Sequence, residues 1–236
     1  MSVSVILPCY NPQPGWEHVI CADFRLLAAR LAVPVELILV LDGVPHKRPD
    51  IVAALSVLSV AIPDVTIIRY DTNRGKGYAT RKGVEAAKGA IVIYTDVDFP
   101  YNTDSIVEVY KKLEANECDV AAGVKDSDYY AHVPMVRRLI SRILRFFIRL
   151  FLSMPVTDTQ CGLKGMRRSA TDVFLSTTID RYLFDLEFIY KCFRGEQLRV
   201  QAVPVRLKEE VQFRKMDYRI LLPEMVNFIR LVLNKN

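Results

Sequence analysis

Two carboxylates one residue apart, Asp96 and Asp98, directly follow the apolar run 90–95 and are the first place to look for chemistry. Residues i and i+2 of an extended chain share a side, so both acids are expected to face one point. Carboxylates that close repel unless a cation sits with them. Mg²⁺ or Mn²⁺ suits such a pair, because these hard ions take oxygen from one or two carboxylates and from substrate phosphates. Held there, the ion neutralises a departing nucleoside diphosphate and eases cleavage of a sugar–phosphate bond. An acidic turn capping a helix at Asn102-Thr103 is the plain alternative. A D-x-D tripeptide alone does not decide between them.

Location decides. Short apolar runs at 3–7, 35–41, 65–70 and 90–95 alternate with helical stretches at 16–32, 49–61 and 78–88. That alternation predicts an α/β fold with a mostly parallel sheet and flanking helices. Ligands of such sheets bind at the carboxyl ends of the strands. Pro8, Tyr10 and Asn11 end the first run, where a flat ligand can pack. Asp42 ends the second, where a carboxylate can accept N–H bonds from a base. Asn73-Arg74-Gly75-Lys76-Gly77 ends the third and opens a helix carrying Arg81 and Lys82, and amides at a helix start with basic side chains suit a diphosphate. A turn tyrosine and an Asp-Gly turn remain open readings of the first two clusters. No Walker or G-x-G-x-x-G spacing is present. The second half reads as a helix at 103–115, a strand at 119–123, an arginine-rich helix at about 134–153, and a polar loop at 157–162. A helix at 182–194, a strand at 199–206 and an amphipathic helix at 218–233 complete it. The organisation expected is one domain over 1–236, with a nucleotide-sugar half at 1–125 and an acceptor half at 126–236.

The 236 residues are enough for a substantial core. The chain is 51% hydrophobic, the apolar edge of soluble composition. Five cysteines without C-x-x-C or Cys/His spacing point to reduced, buried thiols rather than zinc. From the opening MSVSVILP no export signal is expected, and no run of about 18 apolar residues is expected to span a bilayer. The expected location is the cytoplasmic face of a membrane, peripherally held. The net charge of +5 is uneven, with arginines at 137, 138, 142, 145 and 149.

Taken together, the strings VSVILPCYN, LVLDG, NRGKGYATRKG and TDVD resemble the inverting GT-A fold glycosyltransferases of family 2, over roughly residues 3–210. VTDTQCGLKGMRR (156–168), RYLFDLEFIYKC (181–192) and VQAVPVRLKEE (200–210) are similar to dolichyl- and polyprenyl-phosphate glucosyl- and mannosyltransferases. The resemblance implies that Pro8, Tyr10 and Asp42 line the nucleotide pocket and that Lys76 and Arg81 lie by the donor. It assigns Asp96 and Asp98 to metal and diphosphate, and Gln160 to a loop closing over the sugar. It further implies that Lys125, Arg137 and Ser141 hold donor and acceptor phosphates and that Asp185 is the acid of the later helix. Leu41 stands where the family has a first aspartate, Pro12 where an acid often follows Tyr-Asn, and 212–215 replaces a Ser-Lys segment. The D-T-Q-C-G and F-D-L-E strings favour the glucosyl branch, and so a UDP-sugar over a GDP-sugar.

Arg138, Arg142, Arg145 and Arg149 follow i, i+4, i+7, i+11 and are expected on one helical face, with Leu139, Ile143, Phe146, Phe147 and Leu150 on the remaining surface. Spanning a bilayer with them costs about 2.5–3.5 kcal/mol per central arginine. Lying in the interface, arginines toward lipid phosphate, costs little. An internal helix serving only active-site phosphates is the alternative, and the final helix is expected to pack on the core. A lipid phosphate needs no general base, whereas a hydroxyl does, and no histidine is well placed. The reading is therefore inverting transfer of a hexose to a polyprenyl phosphate, its phosphate cradled by Arg137, Arg138 and neighbours, with Asp185 as a base or an orienting group. A hydroxyl-extending family 2 enzyme and a nucleotide-sugar-binding protein with weak turnover are the rivals. A membrane-embedded partner or homo-oligomer fits the reading, and nucleic acid does not.

Overall fold

The computed structural model describes residues 1–45, 48–125, 135–152, 154, 156, 158–195, 198–209, 211 and 218–233, with the backbone alone at 137. The first half follows the expected alternation closely. Strands β1 (Val3–Cys9), β2 (Val35–Asp42), β3 (Thr66–Tyr70) and β4 (Ile91–Tyr94) interleave with helices α1 (Trp16–Leu31), α2 (Pro49–Ala61) and α3 (Lys76–Ala86). Then come α4 (Thr103–Glu114), β5 (Val120–Lys125) and α5 (Met135–Phe147), which runs into a π turn at Ile148–Leu152. Strand β6 (Lys164–Arg167), α6 (Thr171–Leu175), α7 (Phe184–Arg194), β7 (Val200–Val205) and α8 (Leu221–Leu233) complete the order.

One sheet of seven strands, ordered β3-β2-β1-β4-β6-β5-β7, runs through the molecule. β1 pairs in parallel with β2 and β4, and β5 with β7. β6 runs against both β4 and β5. It is the strand that the hydrophobic pattern did not disclose: four residues, KGMR, two of them basic.

Strand alternation sorts the core into two layers. Val3, Val5 and Leu7 of β1 pack with α1, α2 and α4, while Ile6 joins α3, α6 and α7 on the opposite face. Gly83 lets α3 lie directly on β1, since a Cβ there would overlap Ile6. α4 starts where expected, with Asn102 Oδ1 accepting the Ser105 N–H at 2.9 Å. All five cysteines are buried thiols.

Helices α5 and α8 break the pattern. Leu139, Ile143 and Phe146 of α5 and Leu150 of the π turn are exposed, as are Leu222, Met225, Ile229 and Leu233 of α8. Phe147 and Phe151 meet Phe228 with ring centroids 6.4 Å apart in both pairs, so the two helices form one platform. The final helix packs on the core as expected through Phe228, Leu231 and Val232, while its other large apolar side chains face out. Burial varies along the arginine series: Arg138 and Arg145 are half-buried, whereas Arg142 and Arg149 are exposed. The π turn at Ile148–Leu152 adds a residue to the helical repeat and shifts Arg149 out of phase with the three arginines before it. Among the described residues, no helix is long and apolar enough to cross a membrane.

Candidate active site

β1, β2 and β4 deliver their carboxyl ends to one rim, in the register Cys9↔Leu41 and Ile6↔Tyr94. Asp96 stands there, half-buried, and Asp98 beside it is exposed. The backbone is not extended at this point. β4 stops at Tyr94, and the Phe99 N–H donates to the Asp96 carbonyl at 3.0 Å to close a turn. Asp96 and Asp98 therefore stand on a turn rather than on one side of an extended strand. Asp96 Oδ1 receives Lys76 Nζ at 2.6 Å. Burial alone would lower the lysine's pKa, but the Asp96 and Asp185 carboxylates hold it protonated above the ordinary value.

Space around Asp96 is provided by Gly162, where a Cβ would collide with Asp96 Oδ2. That cradle, two hard oxygen donors and an opening to solvent fit a Mg²⁺ or Mn²⁺ shared with a ligand's phosphates. Among the described residues no group of three or more His, Cys, Asp or Glu could hold an ion by itself. Any cation here would depend on ligand oxygens. Gly162 is in turn held by Tyr101, whose hydroxyl oxygen accepts the Gly162 N–H at 2.9 Å. Burial first, and then Cys161 and Asp96, push the Tyr101 phenol well up, so it stays neutral.

The other rim residues have firmer ties than their sequence positions suggested. Asp42 is buried, and its carboxylate accepts Asn73 Nδ2–H at 3.0 Å, the Arg74 N–H at 2.7 Å and the Gly75 N–H at 2.9 Å. These bonds shape the 73–77 loop. Gly75 needs its residue type there, with φ at +109°. Arg81 is committed to the loop before α7. Its guanidinium donates to Thr177 Oγ1 at 3.2 Å and the Ile179 carbonyl at 2.9 Å, and pairs with Asp180. It ties α3 to the loop before α7. Pro8 is half-buried, Tyr10 and Asn11 are exposed, and Asn11 takes a positive φ of 46°.

Asp185 is not an open base. Its Oδ1 accepts the Tyr94 hydroxyl at 2.6 Å and lies 3.0 Å from Lys164 Nζ, with both charged partners buried. Lys164 also donates to the Cys161 carbonyl at 2.6 Å. Burial, then Asp185, pushes the Tyr94 phenol well up, keeping it a donor. Lys164 escaped the sequence reading although it closes the D-T-Q-C-G-x-K string, and it links β6, the 158–163 loop and α7. Asp158 accepts the Lys125 N–H at 2.9 Å, and Lys125 Nζ reaches the Gln160 carbonyl at 3.3 Å. The Gln160 loop is thereby hung from the end of β5, beside the Asp96 turn. Arg138 and Ser141 lie half-buried on α5. The side chain of Arg137, expected at the acceptor phosphate, lies outside the described residues.

The family model described as "Glycosyl transferase family 2" matches residues 4–175. Glycosyltransferase AglD of Haloferax volcanii is 30% identical over 210 residues, 87% of this chain and 33% of AglD. Dolichyl-phosphate beta-glucosyltransferase of Dictyostelium discoideum is 24% identical over 228 residues, 91% of this chain and 68% of that protein. The chain thus spans a third of the first relative and two thirds of the second. Among solved structures, glucosyl-3-phosphoglycerate synthase from Mycobacterium tuberculosis in complex with Mn²⁺, UDP and phosphoglyceric acid superposes with a TM-score of 0.68 at 14% identity, covering 99% of this chain and 78% of that one. That likeness establishes the shared GT-A fold.

Proposed function

The chain belongs to glycosyl transferase family 2, and on that premise we propose that it transfers a hexose, glucose foremost, from UDP to a polyprenyl phosphate at a membrane surface, with inversion. In this reading residues 1–125 hold the donor and 126–236 the acceptor within one domain. Pro8, Tyr10 and Asn11 flank the nucleotide, Lys76 approaches its diphosphate, and Gln160 lies toward the sugar. Asp96 and Asp98 hold the divalent cation, which when bound offsets charge on the diphosphate. Lys125, Arg137, Arg138 and Ser141 meet the acceptor phosphate.

The observation that carries this choice of acceptor is the closure of Asp185 by Lys164 and Tyr94. A hydroxyl acceptor must lose a proton as it attacks, and the acid proposed for that task is already committed. A phosphate monoester is ionised near neutral pH, its second pKa being about 6. Its oxygen forms the new bond to the anomeric carbon from the face opposite the diphosphate. The old carbon–oxygen bond breaks with its electron pair passing to the diphosphate oxygen, and no proton need move. The relatives named for dolichyl phosphate support the lipid acceptor, and the exposed apolar faces of α5 and α8 support a bilayer as its setting.

The test is transfer of label from radiolabelled UDP-glucose, with Mn²⁺, to vesicles containing polyprenyl phosphate. The expected result is label in the organic phase, lost in the Asp96→Asn, Asp98→Asn double variant. Label retained by that variant, or passed only to water-soluble glycans, would overturn the reading.

A further inference from the structure

α8 carries one buried residue amid exposed apolar ones, and it is an acid. Glu224 is 9% exposed, and its Oε2 accepts the Leu183 N–H at 2.9 Å. Leu183 occupies the N-cap position of α7, and in a capping box the third helical residue accepts the cap residue's own N–H. Leu186 stands at that third position and has no acceptor. The acceptor for the Leu183 N–H comes instead from a helix 41 residues further along the chain. Burial raises the Glu224 pKa above the ordinary glutamate value, while the Leu183 and Tyr182 N–H groups, Asn227 and Arg181 draw it down.

What α7 and its preceding loop hold makes this cap consequential. Glu187 of the first turn accepts the Thr178 and Ile179 N–H groups at 2.9 and 2.8 Å, fixing the loop's start. The Asp180 carbonyl accepts the Tyr78 N–H at 3.1 Å. Cβ atoms on Gly75 and Gly77 would come within 2.5 Å of the Asp180 and Ile179 carbonyl oxygens. Gly77 also faces Phe184, the first residue of α7. The 178–183 loop is thus clamped by Glu224 at one end and laid against both glycines flanking Lys76 at the other. Lys76 is the residue that meets Asp96.

We propose that Glu224 is a positioning residue for donor binding: from the exposed α8 helix it caps α7, and so sets the 178–183 wall against which the Lys76 loop is held. The inference rests on the reading of the rim as a donor site, but its physical core does not require transfer. Two consequences separate them. Without any ligand, Glu224→Ala should raise hydrogen exchange of the 74–80 amides about tenfold, with β1 and β2 unchanged. With Mn²⁺, the same variant should bind UDP about fivefold more weakly. Glu224→Gln keeps an acceptor for Leu183 and should restore both to within about twofold. A purely structural role would lower melting without that selective exchange and without rescue in UDP affinity.

Unchanged exchange at 74–80 in a folded Glu224→Ala protein overturns the proposal, whatever the activity. If Glu224→Ala does not fold, Glu224→Gln decides, and faster exchange at 74–80 in that variant would show that acceptance by Gln does not hold the wall. Failure of the wild-type protein to bind UDP with Mn²⁺, while the exchange result holds, would sink the donor reading and leave the positioning role standing.

Discussion

Two lysine–aspartate pairs flank the same turn region and differ in one respect. Lys76 and Asp96 meet at 2.6 Å with side chains 20% and 40% exposed. Lys164 and Asp185 meet at 3.0 Å with side chains 0% and 5% exposed. Both pairs join residues distant in sequence, and both lie near the carboxyl end of β4. The open pair has water at hand to solvate either partner if the other leaves, so a cation or a diphosphate can take over its charges. The closed pair has no such alternative. Its charges must stay together, with Tyr94 and the Cys161 carbonyl completing their hydrogen bonds. Exposure thus separates a pair able to exchange partners from a pair that fastens α7 to β4 and β6.

Removing one member of each pair tests that distinction. Lys164→Met leaves Asp185 buried without its counter-charge and should cost about 3–5 kcal/mol of stability. Chemical denaturation measures it, and Lys164→Met combined with Asp185→Leu should recover much of the loss. A change within about 0.5 kcal/mol would mean that the closed pair fastens nothing.

Lys76→Met should behave in the opposite way. Stability should fall by less than for the closed pair, since the Asp96 side chain keeps contact with solvent. Sugar transfer should fall about 100-fold, the scale for losing one charge-stabilising group. The comparison breaks if this variant is strongly destabilised, or if it transfers sugar at the wild-type rate while Lys164→Met proves neutral.

Much of this arrangement was legible in the sequence. Buried parallel strands announce themselves as apolar runs, and the turns after them carry the polar residues, so β1 to β4 and the rim were readable. β6 was not, because KGMR carries no apolar run, and its pairing comes from the neighbours that it enters. Spacing brought Asp42, Arg81 and Asp185 to this region without disclosing the protein groups that hold them. A carboxylate reads the same whether it awaits a ligand or already holds three N–H groups, and only burial and distance distinguish them. Glu224 did leave a signal: it is the one acid in the mostly apolar LLPEMVNFIRLVL, where Asn227 and Arg230 are the other polar residues. The phase of Arg149, beyond Phe147, left none, since a π turn has no dependable sequence mark.

The platform of α5 and α8 extends the comparison to apolar groups, with the smallest expected effect. Fully burying a leucine or phenylalanine is worth about 1.5–3 kcal/mol. Leaving Phe146, 61% exposed, and Met225, 54% exposed, in water forgoes most of that in the isolated molecule. Replacing them should therefore leave the fold intact and weaken only what covers them. Phe146→Ser with Met225→Ser should lower partition to phospholipid vesicles about tenfold in a sedimentation assay, with an unchanged melting temperature. Arg142→Gln with Arg149→Gln should matter only for anionic vesicles, at about 1 kcal/mol per charge, and less as salt rises. Equal binding of the serine variant and the wild-type protein to vesicles would remove the bilayer from these two helices. A fallen melting temperature in that variant would show that the exposed side chains support the fold itself. Openness would then no longer separate residues kept for a partner from residues kept for the core.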